Sequence, residues 1–213
     1  MAQKQLKIFF DLDGTLIDAS KRHHKVYIDV IAKLGGVPLS RDAYWELKRS
    51  KADWETILPN SSVSIDKREQ FLQEFISRIE SIEYLREDSI FPGAINRIEE
   101  LKRNNTCYLV SLRRNHENLV AELEWLGLAA HFTKILSGHS ESDGSDVKAA
   151  IIQQELGGDE GVIIGDTEAD ILTGRELSMK TIAVCSGIRS EDYLEHLNPD
   201  YIVPSIADIG GLI

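Results

Sequence analysis

Cysteine is nearly absent from this chain: among 213 residues there are only Cys107 and Cys185. Each sits inside an apolar, strand-like run, which excludes a disulfide scaffold or a thiolate metal centre and predicts reduced, packed thiols. Long apolar runs are also missing. No stretch approaches the twenty residues of a membrane span, and MAQKQLKIFF holds a run too short for a signal-peptide core, with no small-residue cleavage site. A cytoplasmic location is the expectation. Positive charge is scarce as well, with 24 Lys and Arg against 35 Asp and Glu, a formal net charge of -11. Nucleic acid and anionic membrane surfaces would repel such a chain, so neither is expected as a partner. What remains is an ordinary globular composition, 42% hydrophobic and 28% charged, without a polar tract that would signal disorder.

Short β-rich runs recur as LKIFF, TCYLV, FTKIL, GVIIG and KTIAV, with DYIVP near the end, and all but the last read as central strands. After Asn105 they alternate with helical patterns. HENLVAELEWL carries Leu119, Leu123 and Leu126 on one face, with Asn115 as N-cap and Gly127 as stop. Such alternation predicts an α/β fold, a Rossmann-like parallel sheet covered on both faces. Between Leu16 and Phe91 no strand pattern is visible and amphipathic helices follow one another. Val26, Val30 and Leu34 form one stripe, and Leu72, Phe75, Ile79 and Ile82 another within a helix expected over Asp66 to Leu85. FPGA, from Phe91 to Ala94, turns the chain back. Residues 1–16 and 91–213 are therefore expected to form the core domain and 17–90 a small helical domain inserted after the first strand, placed as a mobile lid would be.

Ligands of parallel α/β sheets bind beyond the carboxyl ends of the strands. The residues found there are Asp11 and Asp13 after LKIFF, Ser111 after CYLV, and Asp166 with Asp170 after GVIIG; Lys148 opens the helix after SGHSESDGSD. Convergent carboxylates repel one another unless a cation or a proton compensates. Three carboxylates and a turn carbonyl make a hard oxygen site of the kind that holds Mg2+, with Lys148 as a fixed second positive charge. A phosphoryl group is the natural guest, because its transfer needs positioning and charge neutralisation above all. Asp11 and Asp13 must then divide the labour. One attacks phosphorus ionised while the other carries a proton for the leaving oxygen, a role that needs its pKa raised by roughly 2 to 3 units through repulsion from its neighbour. Gly14 permits a tight turn that the Thr15 hydroxyl can bridge.

In order and placement these residues resemble the haloacid dehalogenase superfamily of phosphohydrolases, with DLDGT, LVS ending in Ser111, Lys148 and GDTEAD similar to its four motifs. The resemblance implies Asp11 as nucleophile forming an aspartyl-phosphate, and Asp13 as general acid and then base. It also implies a magnesium ion on Asp11, the Asp13 carbonyl and Asp166, with Asp170 helping. Asp13 argues against carbon-halogen chemistry, whose members lack that second aspartate. The position of the helical insert resembles the cap of the phosphoglycolate phosphatase and β-phosphoglucomutase branch. Two departures are visible: no proline follows Lys148, and SLRRN continues where a small polar residue is common.

The stretch LKRSKADWETIL resembles a cap specificity loop and places Lys48, Arg49 and Lys51 in an acidic protein. Arg49 or Lys51 is expected to meet a second anionic group on the substrate, the alternative being an exposed helix junction. Thr15 and Arg113 are further substrate-binding candidates, although Arg113 and Arg114 could equally coat a helix entrance. His23 and His24 point apart on a helix and are expected at the surface, Trp45 and Trp54 are expected to pack the insert, and His139 could approach the site from its loop. The expected activity is hydrolysis of a small phosphorylated metabolite of the phosphoglycolate or sugar phosphate type. A phosphomutase using the same intermediate and a non-catalytic phosphate or partner sensor are the alternatives, and the sequence leaves monomer and dimer both open.

Overall fold

The computed structural model describes residues 5–139, 144–158 and 160–213. The chain begins with β1 (Lys7–Phe10) and the short β2 (Ile17–Asp18), then runs through α1 (Ser20–Lys33), α2 (Arg41–Arg49), α3 (Trp54–Asn60), α4 (Arg68–Ile79) and α5 (Ile82–Leu85). It returns along β3 (Ser89–Ile90) into α6 (Ala94–Lys102), β4 (Thr106–Ser111), α7 (His116–Trp125) and β5 (Lys134–Ser137). The remainder is α8 (Ser145–Leu156), β6 (Gly161–Gly165), α9 (Glu168–Glu176), β7 (Lys180–Val184), α10 (Glu191–Glu195) and β8 (Tyr201–Val203).

Six strands form one parallel sheet in the order β5-β4-β1-β6-β7-β8. Every β-rich run of the sequence is a strand of this sheet, but FTKIL supplies an edge strand, β5, rather than a central one. The strand β1 is central, and its alternate residues feed both layers. Ile8 and Phe10 pack with Ile98, Leu119 and Leu123 on one face, while Phe9 packs with Ile152 and Met179 on the other and stacks on Tyr108 at 4.9 Å. Burying a side chain such as Phe9 completely stabilises the fold by about 1.5–3 kcal/mol. Asn115 caps α7 by accepting the Asn118 N–H at 3.0 Å, and Leu119 and Leu123 are fully buried.

The helices α1 to α5 enclose a core of their own, built on Val26, Tyr27, Val30, Ile31, Phe71 and Phe75. Tyr27 stacks on Tyr44 at 4.2 Å and shares a hydrogen bond with Ser61. The helix expected over Asp66 to Leu85 is broken at Glu80–Ser81 into α4 and α5. Phe71 and Phe75 carry its buried face, while Ile82 is 39% exposed. The stem of the insert is an antiparallel ribbon in which Ile17 pairs with Ile90 and Asp18 with Ser89. Two residues per strand are too few to show period-2 alternation, so the sequence reads as strandless there. No helix among the described residues is long and apolar enough to cross a membrane.

Candidate active site

Because the order reverses around β1, the carboxyl ends of β4, β1 and β6 meet at one point of the sheet edge, the position where such sheets open a crevice. Asp11 follows β1 directly, and Asp166 and Asp170 follow β6. Each of the three offers a carboxylate oxygen within 4.8 Å of the others, and all are buried. Lys148, at the first turn of α8 and 1% exposed, donates to Asp11 Oδ1 and to Asp170 Oδ1, both at 2.5 Å.

Local chemistry fixes each acid. Asp170 Oδ2 accepts the Thr167 N–H and hydroxyl at 3.1 and 2.8 Å, so the residue is at once the N3 acid of a capping box and a member of the cluster. Asp166 accepts the Ile188 N–H at 2.6 Å on Oδ2 and the Thr15 hydroxyl at 3.4 Å on Oδ1. The turn after Asp13 closes against this carboxylate. Gly14 has φ +84°, and a Cβ there would lie 2.2 Å from Asp166 Oδ2, so glycine is required by conformation and by space.

One ammonium serves three buried carboxylates. Burial, opposed by Lys148 and reinforced by Asp170, pushes the Asp11 carboxyl up to about 7. Asp166 is driven well above the usual carboxylate range by burial and by Asp11 and Asp170, against the Ile188 N–H and Lys148. Burial disfavours the charge on Lys148, but Asp11 and Asp170 outweigh it and hold the ammonium protonated. A hard cation with oxygen ligands would relieve this strain, so the donor set fits one. Asp13 contributes no carboxylate to this trio.

Asp13 faces two guanidiniums instead. Arg113 grips it with Nε to Oδ2 at 2.5 Å and Nη2 to Oδ1 at 2.7 Å, and Arg22 of α1 donates to Oδ1 at 2.5 Å. Arg113 also lies 3.2 Å from Glu122, while Arg22 Nε lies 3.2 Å from Asp88 Oδ2 without hydrogen-bond alignment. Burial would raise the Asp13 carboxyl, yet Arg113 and Arg22 hold it well below the ordinary range. Burial and Asp13 push Asp88 up to about 9 despite Arg22. Repulsion from Asp11 was expected to raise Asp13; in this arrangement the two arginines reverse that, and Asp11 is the acid that rises.

A cavity of about 290 Å³ opens above the acids, with Asp11, Asp13, Ser111 and Lys148 at its floor. Its other wall belongs to the insert and carries Trp45, Phe75, Ile76 and Ile79. His23 lines it too, its ring 6.1 Å from that of Trp45 and 6.0 Å from that of Phe75, so it is not a surface histidine. Burial, Arg22 and Lys48 keep its imidazole pKa well below normal. His24 does turn away, its Nε2 3.0 Å from the Leu39 carbonyl.

The remaining candidates sit elsewhere than expected. Thr15 is fully buried behind Asp166 and does not line the cavity. Arg49 donates to the carbonyls of Cys185 and Gly187 at 3.0 and 2.6 Å, and its own carbonyl accepts the Ser190 N–H at 3.0 Å. Lys51 pairs with Glu168 at 2.8 Å, and Arg189 grips the same carboxylate and donates to the Lys48 carbonyl at 3.1 Å. Arg189 and Lys51 overcome burial to bring Glu168 down to about 2. These contacts fasten the insert to the loop after β7 and to α9, and neither Arg49 nor Lys51 lines the cavity above the acids. Arg113 reaches the floor of the site but is pinned to Asp13. Arg114 is directed outward, its Nε 3.1 Å from His139 Nδ1, which leaves that histidine at the surface; residues 140–143 of its loop lie outside the described residues. Trp54 packs on Phe71 at 4.6 Å, whereas Trp45 both packs and lines the cavity. The sequence reading overlooked Arg22, Glu168 and the segment Ser186–Ile188. The last of these follows a strand, so the rule that found the acids would have found it.

A buried acid cluster with one lysine, at the switch point of a parallel sheet and beneath a helical insert, makes this an α/β protein whose site suits a cation and an anionic ligand. The chain belongs to the haloacid dehalogenase-like hydrolases, whose family profile matches residues 8–184. It is 29% identical to a pyrophosphatase PpaX of Oceanobacillus iheyensis, covering 95% of this chain and 94% of that one. It is 27% identical to a phosphoglycolate phosphatase of Agrobacterium fabrum over 93% and 88% of the two chains. A solved haloacid dehalogenase-like hydrolase of Streptococcus pneumoniae superposes with a TM-score of 0.73 at 25% identity over 96% of each chain.

Proposed function

We propose that the protein is a magnesium-dependent phosphatase of small phosphate monoesters, working through an aspartyl-phosphate on Asp11 beneath residues 17–90 as a cap. The observation that carries this reading is the Lys148 ammonium held between Asp11 and Asp170, 2.5 Å from each, on the floor of a small cavity beneath the insert. The relatives named as phosphatases support it.

Asp11, Asp166 and Asp170, with the Asp13 carbonyl, would hold the magnesium ion, which supplies positive charge for the phosphoryl oxygens and for the clustered acids. Lys148 keeps Asp11 directed at the floor of the cavity and offsets charge that builds as the phosphoryl group arrives. The Asp11 carboxylate attacks phosphorus, the P–O bond to the alcohol breaks, and the alcohol oxygen takes a proton from Asp13. Water then attacks phosphorus, giving its proton to Asp13 and freeing the Asp11 carboxylate. Ser111, buried at the end of β4, offers a hydroxyl to a phosphoryl oxygen. Asp13 is held in the form that suits the second half of the cycle, because both guanidiniums favour the carboxylate. Arg22 comes from the cap, so cap movement would loosen one of them and ease protonation for the first half.

Phosphate release from a panel of monoesters checks this reading. Turnover with Mg2+ that disappears in chelator is expected, returning when the ion is restored. Equal turnover in chelator, or none from a folded protein with any ester, would contradict it.

A further inference from the structure

The cavity has a charged floor and an apolar roof. Trp45, Phe75, Ile76 and Ile79 from the insert face it, joined from the core by Leu112 and Ile188. Ile76, 39% exposed, continues this apolar roof outward to the mouth of the cavity. Among the described residues lining the cavity, every cation is already engaged. Lys148 is held by Asp11 and Asp170, and Arg113 and Arg22 both hold Asp13. The other charged groups in the lining, Asp18 and Glu80, are acids, and Glu80 already accepts the Asn115 N–H at 2.8 Å. The cations of the α2 region do not line this cavity: Lys51 pairs with Glu168, Lys48 sits over the Trp54 ring at 4.7 Å, and Arg49, on loop carbonyls, and Arg41, on the Ser20 hydroxyl at 2.8 Å, line a neighbouring cavity. Two buried nitrogens of lining residues lack a hydrogen-bond partner: Arg22 Nε, which lies 3.2 Å from the Asp88 carboxylate, and His23 Nδ1, which offers a single uncharged hydrogen bond. A second phosphate or a carboxylate on the substrate would lose its hydration against this wall with no counter-charge to replace it.

We infer that the substrate is a phosphate monoester whose alcohol part is a small apolar group, seated against Trp45, Phe75, Ile76 and Ile79, and not a molecule with a second anionic group beside the transferred phosphoryl group, such as phosphoglycolate or pyrophosphate. Deepening the phosphatase reading, the inference rests on it for turnover but not for binding. The cavity, at the lower end of the usual range of about 300–1,000 Å³, limits the alcohol to a single ring or a short branched chain.

The test compares kcat/KM for phenyl phosphate and isobutyl phosphate with that for phosphoglycolate and pyrophosphate, and in parallel the binding of benzylphosphonate and phosphonoacetate by calorimetry with Mg2+. At least a tenfold preference for the apolar esters and for benzylphosphonate is expected. In Ile76→Lys, which adds a cation at an already open position, the preference should shift at least tenfold toward the anionic substrates. If phosphoglycolate or pyrophosphate is the better substrate of the wild type, the inference is overturned and the phosphatase reading stands. If no ester is turned over but benzylphosphonate binds more tightly than phosphonoacetate, the phosphatase reading falls and the apolar site stands. Tighter binding of phosphonoacetate, or binding of neither, overturns the inference.

Discussion

Replacing Lys148 by methionine is expected to lower kcat/KM by about 100- to 1,000-fold, the range seen when one preorganised donor to a developing negative charge is removed. The substitution keeps the length of the side chain and deletes its charge. Three buried carboxylates then lose the ammonium that lies 2.5 Å from two of them. Breaking a buried ion pair from one side costs about 3–5 kcal/mol, so stability in chelator should fall by that order. Its pH dependence follows from Asp11, whose carboxyl is raised from 3.8 to about 7 with Lys148 in place. Between these values the unfolded chain ionises first and binds fewer protons, so stability of the chelated wild type falls as pH rises through this window, by roughly 4 kcal/mol at most. In the variant the fall should extend above pH 7, and in both proteins Mg2+ should flatten it. Denaturant melts at pH 5 and pH 8, with and without the ion, measure this. A variant within tenfold of wild-type activity and as stable at both pH values would show that Lys148 is a bystander.

Arg113→Met is expected to destabilise the fold by about 3–5 kcal/mol, because it leaves Asp13 and Glu122 without the buried guanidinium between them. Arg113 makes two hydrogen bonds to Asp13 and approaches Glu122 at 3.2 Å, a geometry that a single ammonium cannot span. Arg113→Lys should therefore recover little. The double variant Arg113→Met with Glu122→Leu should recover more, since an apolar pair can replace a buried ionic one at little cost. Urea unfolding at pH 7 resolves the series. Full recovery by lysine, or a single variant indistinguishable from wild type, would mean that the guanidinium contributes charge alone or nothing.

Much of this arrangement was legible in the chain because it follows from local rules. The six strands of the sheet announce themselves as apolar runs, and the residues that follow strands in the sequence, Asp11, Ser111, Asp166 and Asp170, are ones the fold gathers at one sheet edge, with Lys148 joining them from the start of a helix. Arg22 was not legible, since its partners Asp13 and Asp88 lie in other elements and long-range ion pairs leave no periodic trace. Arg49 and Lys51 read as substrate ligands because basic residues in an acidic protein suggest an anion. The acidic partner, Glu168, lies in a distant helix, and the carbonyls that hold Arg49 belong to a loop after β7. His23 looked solvent-exposed because neighbouring residues on α1 are polar; only the packing of α2 and α4 on that helix encloses it beside Trp45 and Phe75. The break at Glu80–Ser81 was hidden by a hydrophobic repeat that continues across it into α5.

The central claim is that Asp11 accepts the phosphoryl group, and acid quenching during turnover of a radiolabelled phosphate ester with Mg2+ tests it most directly. The account predicts label on the protein that hydroxylamine discharges, as an acyl phosphate requires, and none on Asp11→Asn. Turnover by the wild type without such label under conditions that trap it, or equal labelling of Asp11→Asn, would contradict it.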